Sequence, residues 1–294
     1  MSFVAQLLQY VITGATVGAT YGLAGLGFTV IFNATEVINF AQGEFVMLGG
    51  MLAVFALRWG GLPLPVAVLG SVLLVSGVGV AVDRLTIRPL RGRSVISLII
   101  VTIGVSILLR GGAMLVFGKD TFALPPFSRG TPIAVGGAAM LPQSLWVGGV
   151  TLLTLLLMKL YFDRTLLGKA MLACACDRKA AALMGISVDG MVTLSFALSA
   201  LVGALGGVIL APITLTSYDV GILLGLKGFA ACALGGLGNP FGAVAGGIIL
   251  GILESLAAGL LSSGYKDAVA FVILLLLLFL RPAGLFGARR VERV

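Results

Sequence analysis

A polar segment interrupts an apolar stretch near the start of this chain. Residues 33–50 read NATEVINFAQGEFVMLGG, and apolar sequence runs up to them from about Leu7 and away from them to about Leu57. The segment contains two carboxylates, Glu36 and Glu44. Unpaired charge is costly in hydrocarbon, and non-helical backbone persists there only where protein buries it or a cavity adjoins it. A membrane protein that keeps such a segment is expected to move something polar through itself.

The composition indicates an integral membrane protein. The chain is 59% hydrophobic and only 10% charged, whereas a soluble domain carries about 25% charged residues. A transmembrane helix needs about 20 apolar residues, so the 294 residues can supply several and leave little for a soluble domain. We therefore predict an all-α polytopic membrane protein with a single transmembrane domain over residues 1–294.

Glycine is abundant, with 43 residues, and several glycines recur every four positions. Small residues let helix backbones approach closely in lipid. We expect helix-packing faces at the two ladders, which are Gly14, Gly18 and Gly22, and then Gly238, Gly242, Gly246, Gly247 and Gly251.

Apolar runs predict about nine membrane spans. Their approximate bounds are 8–32, 38–57, 62–82, 94–117, 143–162, 188–211, 220–237, 240–261 and 267–281. The least regular region is 213–237, where Lys227 interrupts a short apolar run. Eight spans plus a re-entrant segment is the alternative that the sequence leaves open.

Basic residues orient these spans. Thirteen of the nineteen Lys and Arg residues fall on one side of the nine-span scheme. Because basic loops face the cytoplasm, we expect that side and the C-terminus to be cytoplasmic and the N-terminus to lie outside. The thirteen are Arg84, Arg88, Arg91, Arg93, Lys159, Arg164, Lys169, Arg178, Lys179, Arg281, Arg289, Arg290 and Arg293, while Arg58, Lys119, Arg129 and Lys266 fall on the other side.

A faint internal repeat relates residues 22–45 to residues 203–226. Each unit has a Gly-rich helix, a polar stretch and a short broken helix, and the two first helices run in opposite directions in the nine-span scheme. Inverted repeats with interrupted helices mark the pathway in transporters, although Gly-rich helices also resemble one another by chance. The candidate pathway residues are Asn39, Gln42, Gly43, Glu44, Asp219 and Lys227.

Several charged residues also have a structural interpretation. Glu44 either lines a path or fixes the broken helix through backbone N–H groups, and Asp219 either lines a path or is an N-cap. Lys227 can pair with Glu44, stabilise a carbonyl end or snorkel to the surface. Arg110 lies deep enough in its span to need a partner, for which Glu254 is one candidate.

The longest predicted cytoplasmic loop spans residues 163–187. Apolar residues near helical spacing predict two short amphipathic helices between 166 and 184, and Gly185 is predicted to be a C-cap. Such helices form either a docking face or a simple interfacial connector. Cys174 and Cys176 fall in this basic loop, where a disulfide is not expected.

Several chemistries lack their motifs in this sequence. It contains no G-x-x-x-x-G-K-[ST] phosphate loop, no H-E-x-x-H, no G-x-S-x-G and no histidine. Histidine is the commonest proton relay, metal ligand and general base. We therefore expect a chain that is not an enzyme, has no metal site, no cofactor of its own and no nucleic-acid partner.

Four segments in order carry a resemblance to a known family. They are GATYGLAGLGFTVIFNATEVINFAQGEFVMLGG (18–50), GKAMLACACDRKAAALMGIS (168–187), GLKGFAACALGGLGNPFGAVAGGIILGILESL (225–256) and GYKDAVAFVILLLLLFLRPAGLFG (264–287). Together they resemble permease subunits of branched-chain amino acid ATP-binding-cassette importers, a family that also includes urea and short-chain amide permeases. These importers usually contain two different permeases, and the chain is more similar to the shorter one than to the longer one.

The resemblance implies a set of partners and a location. They are a second homologous permease, two cytoplasmic ATPases that bind the ATP, and an extracytoplasmic solute-binding protein, assembled at the bacterial cytoplasmic membrane. The solute implied is an amino acid or a related small amide. The family often has histidine where this chain has Gln42, and a more polar residue where Cys174 or Cys176 stands; the first difference bears on what is carried.

The loop 163–187 is then the expected coupling contact with the ATPases. Ala180, Ala181 and Ala182 are predicted to form a small-residue surface that fits a groove, ended by Gly185, while Arg178 and Lys179 engage an acidic rim. The alternative function is a stand-alone secondary carrier or channel for a small polar solute.

Overall fold

The computed structural model describes residues 2–90, 92–128, 130–260 and 262–287, and these ranges are mainly helical. A two-stranded antiparallel hairpin, β1 (Ile133–Val135) and β2 (Ala138–Met140), turns at Gly136 and Gly137, both with positive φ. The α-helices are α1 (Phe3–Thr35), α2 (Gln42–Arg58), α3 (Leu64–Val82), α4 (Val95–Phe117), α5 (Pro142–Arg164), α6 (Leu166–Cys176), α7 (Arg178–Leu183), α8 (Val188–Thr214), α9 (Val220–Gly235), α10 (Pro240–Leu260) and α11 (Lys266–Leu280).

Each of the nine predicted spans corresponds to one helix, so the all-α polytopic fold class is confirmed. Within the described ranges, seven helices are long and apolar enough to cross a membrane: α1, α3 with its continuation to Leu90, α4, α5, α8, α10, and α11 counted from Ser263. The other two, α2 and α9, have 17 and 16 residues. Both short helices follow the polar interruptions that the sequence singled out.

Local chemistry fixes where the helices begin. The hydroxyl groups of Ser2, Ser94 and Ser187 each accept a hydrogen bond from a backbone N–H three residues later, at the starts of α1, α4 and α8. Such N-caps satisfy donors that have no partner within the helix. After α3 the chain continues as a π-helix (Asp83–Ile87) and a 3₁₀ turn (Arg88–Leu90). These turns place a basic segment at the end of the bundle where α3 ends.

The predicted glycine ladders pack the centre of the molecule. Gly14, Gly18 and Gly22 of α1 lie against α10, where a Cβ atom on any of them would meet the backbone of α10 around Gly251, Gly247 and Val244. The second ladder has two faces, since Gly242 and Gly246 contact α9 instead. Close backbone approach of this kind supports helix association in lipid.

Contacts between helices define their directions. Gly25 of α1 lies beside Gly228 of α9, and further along α1 the Asn33 side chain donates to the carbonyl of Gly238, just after α9. Residue numbers rise together along the two helices, so α1 and α9 run parallel. The carbonyl of Gly27 in α1 accepts from the Ser199 hydroxyl in α8, and Leu23 of α1 lies beside Gly206 of α8. Residue numbers rise in opposite directions along the two helices, so α1 and α8 run antiparallel. The first helices of the two repeat units are therefore opposed, as predicted.

The two ends of the bundle differ in character. The basic end holds residues 83–90, 92–93, 164–187 and 236–239, together with the start of α8, where Asp189 forms a 3.4 Å ion pair with Arg88. The hairpin end holds residues 118–128 and 130–141 and the start of α1, where the Gln9 side chain hydrogen-bonds to the backbone of Ala139.

The segment after α11 returns to the basic end. The N–H groups of Leu285 and Phe286 donate to the carbonyls of Leu234 and Gly235 at 2.8 and 3.0 Å, which caps α9. Of the basic residues used to orient the spans, Arg91, Arg129, Arg289, Arg290 and Arg293 lie outside the described residues.

Candidate functional site

Two interrupted helices approach each other inside the bundle. α1 ends at Glu36, which has φ 57°, and α8 ends at Leu215, which has φ 65°. Among the described residues these are the two non-glycine positions with positive φ. Such backbone conformations end a helix. Residues 37–41 and 216–219 then lead into the short helices α2 and α9.

The first turns of α2 and α9 pack directly together at Gly43. A Cβ atom on Gly43 would meet backbone atoms of Gly221 and Gly225. α2 begins well inside the bundle, because Gln42 contacts Gly27, eight residues before the end of α1 and therefore about 12 Å from it. The N-terminal ends of two helices, each with a positive partial charge, thus lie close together, as in transporters with interrupted helices.

Gln42 joins three helices rather than lining a cavity. Its Nε2 donates to the carbonyl of Ser199 at 3.2 Å, and its Oε1 accepts from the Ser199 hydroxyl. A Cβ atom on Gly27 or Gly203 would collide with the carboxamide. Both polar ends of the Gln42 side chain are therefore engaged in fixing α2 against α1 and α8.

Glu44 is 1% exposed and its two carboxylate oxygens have different surroundings. Oε1 accepts from the hydroxyl of Ser106 on α4 at 2.8 Å, rather than from a backbone N–H. Oε2 has no hydrogen-bond partner and lies beside Gly221, where a Cβ atom would touch it. Arg110 stands close enough for its charge to act on Glu44. The carboxylate is therefore held by a hydrogen bond at Oε1, while Oε2 is enclosed without a hydrogen-bond partner.

Asn39 lies in the break between α1 and α2 and is buried. Its Oδ1 accepts from the N–H of Ala41 at 3.1 Å, while its Nδ2 has no hydrogen-bond partner. A buried polar group without a partner costs about 1–3 kcal/mol. An unsatisfied donor at this point therefore suits a site that a polar molecule visits.

Two cavities lie in series along α4, on either side of residues 39 and 40. The basic-end cavity has a volume of about 360 Å³ and is lined by the break, including Asn39, and by Leu98 and Thr102 of α4. The α4–α9 cleft, about 240 Å³, is lined by Phe40, by Ser106 and Arg110, and by the first turns of α9. The N–H of Phe40 donates to Thr102 Oγ1 at 3.2 Å between the two. A path along α4 would connect them.

A polar stripe on α4 is the part of the site that the sequence reasoning missed. Thr102, Ser106 and Arg110 recur every four residues in an otherwise apolar helix, so they share one face. Each contacts or lines one of the two cavities. The signal was present in the sequence as a four-residue spacing, but only Arg110 was singled out there.

The proposed ion pair between Lys227 and Glu44 is absent from the structure. Lys227 Nζ instead lies 2.7 Å from Glu254 Oε1 and 2.6 Å from Asp267 Oδ1, and donates to the Tyr21 hydroxyl at 3.2 Å. The candidate pairing of Arg110 with Glu254 is also wrong, since that carboxylate contacts Lys227. The Lys227 cluster links α9 to α1, α10 and α11 and neutralises the lysine.

Asp219 lies apart from both cavities. It occupies the N-cap position of α9, but its side chain accepts from the Ser217 hydroxyl and makes no cap hydrogen bond. The residue is exposed, and the neighbouring Thr216 pairs with Phe122 at the hairpin end. Its geometry is that of a loop residue at the entrance to α9.

The loop at the basic end forms the two predicted short helices, α6 and α7. Asp177 caps α7 by accepting from the N–H groups of Lys179 and Ala180 at 2.8 and 3.0 Å. The predicted C-cap is confirmed at Gly185, with φ 81°. The bonds from Gly185 N–H to the carbonyl of Ala182 and from Ile186 N–H to that of Ala181 form a Schellman motif.

The exposed tip of this loop is more apolar than predicted. Ala181 is buried, so Ala180, Ala181 and Ala182 do not form one exposed surface, because a six-residue helix lying on the bundle turns one face inward. Leu183 and Met184 are 88% and 81% exposed and project at the tip. Lys179 is exposed beside them.

Arg178 contacts the end of α1 rather than an outer rim. Its guanidinium donates to the carbonyls of Ala34 and Thr35, the last residues before Glu36. A cation at a helix C-terminus is stabilised by the helix dipole. Arg178 also lines the basic-end cavity, so it connects α7 to the break that contains Asn39.

The loop cysteines differ in access. Cys176 is exposed, whereas Cys174 is buried on the inner face of α6, and both are free thiols. Burial raises the pKa of the Cys174 thiol, against a smaller lowering by the charge of Arg178. In the described part of the chain, no group of His, Cys, Asp and Glu has the arrangement of a metal site.

Comparisons with known proteins agree along nearly the whole chain. A family model described as "Branched-chain amino acid transport system / permease component" matches residues 10–278. The chain is 34% identical to the high-affinity branched-chain amino acid transport system permease protein LivH of Escherichia coli, over 98% of this chain and 97% of that protein. It is 34% identical to BraD of Pseudomonas aeruginosa, over 98% of each chain. A probable branched-chain amino acid transport permease protein of Methanocaldococcus jannaschii is 30% identical over 90% of this chain and 88% of that protein. No solved structure matches the chain.

Proposed function

The chain belongs to the family of branched-chain amino acid transport permease components, and from this premise we propose that it forms a solute path in an ATP-driven importer. The solute is a branched-chain amino acid or a related small polar or amide compound, and it moves into the cytoplasm. The relatives are named for branched-chain amino acid transport. The chain itself is a multi-pass membrane protein with seven helices of spanning length in its described ranges.

One observation supports the position of the path above all. Two cavities follow one another along α4: Asn39, whose Nδ2 is buried without a partner, lines the first, and Ser106, which donates a hydrogen bond to the buried Glu44, lines the second. Polar and charged side chains in membrane helices usually face the protein interior or a water-filled cavity. Two cavities in series along the polar positions of α4, beside the broken helices, therefore favour a path for a polar solute.

The energy for transport comes from partner subunits in this proposal. The sequence lacks a phosphate loop, so ATP binds to two cytoplasmic ATP-binding-cassette ATPases. A second homologous permease completes the membrane portion, and an extracytoplasmic binding protein delivers the solute. This division suits a chain whose relatives are named as permease components.

Coupling runs through α7 in this proposal. The exposed tip at Leu183 and Met184 offers apolar anchors to an ATPase groove, with Lys179 beside them. Arg178, the first residue of α7, holds the carbonyls at the end of α1 next to the break. A displacement of α7 would therefore move the residues that line the basic-end cavity.

Charge gives the orientation. The basic end carries Arg84, Arg88, Arg164, Lys169 and Lys179, and basic loops face the cytoplasm. We place this end, with the C-terminus, in the cytoplasm and the hairpin end outside the bacterial cytoplasmic membrane. The tip of α7 is then on the side where the ATPases lie.

Reconstitution in proteoliposomes tests the function. With the second permease, the ATPases and the binding protein present, labelled L-leucine should accumulate only when ATP is supplied. Omitting either the binding protein or the ATPases should abolish uptake. Uptake by this chain alone, without ATP, would instead support the stand-alone carrier or channel.

A matched pair of substitutions tests the path. Leu98→Trp adds a bulky ring to the wall of the basic-end cavity, whereas Leu108→Trp adds it on the same helix to an outward, 71% exposed position. Leu98→Trp should block uptake while the ATPases still co-purify, and Leu108→Trp should retain uptake. Equal uptake by both variants would remove this cavity from the path.

A further inference from the structure

We propose that the outer surface of the bundle binds one anionic phospholipid, with an acyl chain in a groove between α1, α5 and α10 and the phosphate at Lys159. This inference concerns the bilayer as a binding partner and does not depend on which solute the chain carries. The groove, called the α5 groove below, has a volume of about 570 Å³. It shares no lining residue with the two cavities along α4.

The α5 groove opens to the outside of the bundle. Leu152, Phe241 and Phe286 belong to its lining, and their exposed fractions are 58%, 44% and 52%. The helices that form its walls, α1, α5 and α10, are all long and apolar enough to cross a membrane. The groove therefore lies at the depth of the bilayer, where lipid rather than water covers an exposed apolar surface.

Small side chains on all three helices make room for an occupant. Ala15 of α1, Gly148 of α5 and Ala245 of α10 belong to the lining, and a Cβ atom on Gly148 would meet nothing within 4 Å. Among the described residues that line the groove, none is charged. The hydroxyl of Thr16 donates to the carbonyl of Ile12 within α1. Such a lining offers little to a polar solute and suits a hydrocarbon chain.

The dimensions of the α5 groove fit an acyl chain better than a helix. Along α5 the lining extends from Ser144 to Leu155, which is about 16 Å, and one leaflet of the hydrocarbon core is about 15 Å deep. A volume of about 570 Å³ over that length gives a cross-section of about 36 Å². A helix with its side chains is about 10–12 Å across and needs roughly twice that area or more. One extended acyl chain is therefore the better occupant.

Lys159 stands just beyond the lining, at the basic-end rim of the groove. It follows Leu155 by one turn of α5, and its Nζ lies 5.2 Å from the centroid of the Phe241 ring, which lines the groove. The side chain is exposed, and no hydrogen bond or ion pair joins it to another described residue, including Asp163 one turn later. An ammonium has three N–H donors. The contact with Phe241 thus holds an available cation at the mouth of the groove.

The position of Lys159 suits the phosphate of a lipid. It lies five residues before the end of α5 at Arg164, so its long side chain can reach the level of the head groups. Basic residues beside membrane helices attract anionic lipids, and basic pockets between helices bind their head groups. An acyl chain that begins at Lys159 would enter the groove beside Phe241 and run toward Ser144.

Native mass spectrometry of the purified full-length chain tests the groove. Dioleoyl phosphatidylglycerol, added in increasing amounts in detergent, should occupy one saturable site. Gly148→Trp should abolish this site, because the indole ring fills the groove, and Ala245→Phe should do the same from α10. Gly149→Trp is the matched control. Position 149 is equally free of close contacts but lines a different groove, beside Trp146, so this variant should bind the lipid normally.

Lys159→Gln tests the phosphate contact. The original chain should prefer dioleoyl phosphatidylglycerol to dioleoyl phosphatidylcholine, which has the same acyl chains and no net charge, by about fivefold in Kd, as expected for one lysine near the head groups. Lys159→Gln should remove most of this preference and keep the site. Lys169→Gln, at an exposed position of α6, should retain the preference. Glycerol 1-phosphate, a head group without chains, should not displace the lipid.

Three results would overturn the inference. Equal lipid binding by Gly148→Trp, Ala245→Phe and Gly149→Trp would show that the chain does not lie in the α5 groove. An unchanged lipid preference in Lys159→Gln would exclude the phosphate contact. Loss of the bound lipid when a second permease assembles with the chain would show that the groove is a subunit contact. Uptake in proteoliposomes is measured separately, so the proposed transport function stands or fails independently of these results.

Discussion

The contact between the two half-helices predicts a strong effect from a very small change, Gly43→Ala. The added Cβ atom would lie against the carbonyl oxygen of Gly221 and the backbone of Gly225. These are backbone atoms of a helix, which cannot move away singly as the end of a flexible side chain can. The first turns of α2 and α9 must therefore separate.

The magnitude follows from the cost of overpacking. Inserting a methyl group into a close-packed interior costs about 1–3 kcal/mol, and alanine recovers only about 0.5–1 kcal/mol of that through its higher helix propensity. The close approach to backbone atoms favours the upper part of that range, and we expect a net loss of stability of up to about 2.5 kcal/mol. Because Glu44 and Gly221 lie at the same contact, we also expect uptake to fall further than stability does.

Gly104→Ala is the matched control. Position 104 lies in the middle of α4, and a Cβ atom there meets nothing within 4 Å. The assays are unfolding of the purified chain in detergent and ATP-driven uptake by the reconstituted assembly. Gly43→Ala should lose stability and transport, while Gly104→Ala should keep both. If the two variants behave alike, the half-helices do not meet as described.

Three further predictions concern the basic end. A membrane-impermeant thiol reagent should label Cys176 in inside-out vesicles and not in intact cells, and labelling from outside would reverse the orientation. Cys174 should react slowly at neutral pH, because its raised pKa leaves little thiolate. Leu183→Glu should reduce co-purification of the ATPases at unchanged stability, whereas Ala181→Glu should lower the stability of the chain, because Ala181 is buried. Normal co-purification of the ATPases with Leu183→Glu would show that the exposed tip of α7 is not the docking point. Arg178→Met should leave ATPase binding intact but reduce the transport obtained per ATP hydrolysed, measured in proteoliposomes, and normal coupling would exclude Arg178 as the link.

The sequence was sufficient for the features that depend on local pattern. Apolar length located nine helices to within a few residues, and the four-residue glycine spacing located the α1–α10 contact. The positive φ at Gly185 follows from glycine's freedom in that conformation. Each of these signals lies within one segment of chain, so no knowledge of distant contacts was needed.

Pairings between distant residues could not be predicted in the same way. Lys227 pairs with Glu254 and Asp267 in the structure and not with Glu44. The choice depends on how α9 packs against α10 and α11, which the sequence alone does not give. Gln42 looked like a pathway residue, but its position against Gly27 and Ser199 makes it a link between helices. Which side of a short helix faces inward, as at Ala181, also depends on the bundle beneath it.

The polar stripe of α4 was readable but ambiguous. Thr102, Ser106 and Arg110 share a face by spacing alone, yet such a face could meet a partner helix as well as a cavity. The structure resolves this by placing the break residues Asn39 and Phe40 against that face, with a cavity on each side.

Cysteine accessibility along α4 in the assembled importer tests the central claim that this helix lines the solute path. Single cysteines at 98, 102, 106 and 110 face the cavities, and those at 96, 100, 104 and 108 face away from them. A water-soluble thiol reagent should modify the first set and leave the second largely unmodified, with a four-residue period. Equal modification of both sets, or modification of the second set alone, would contradict a path along this face of α4.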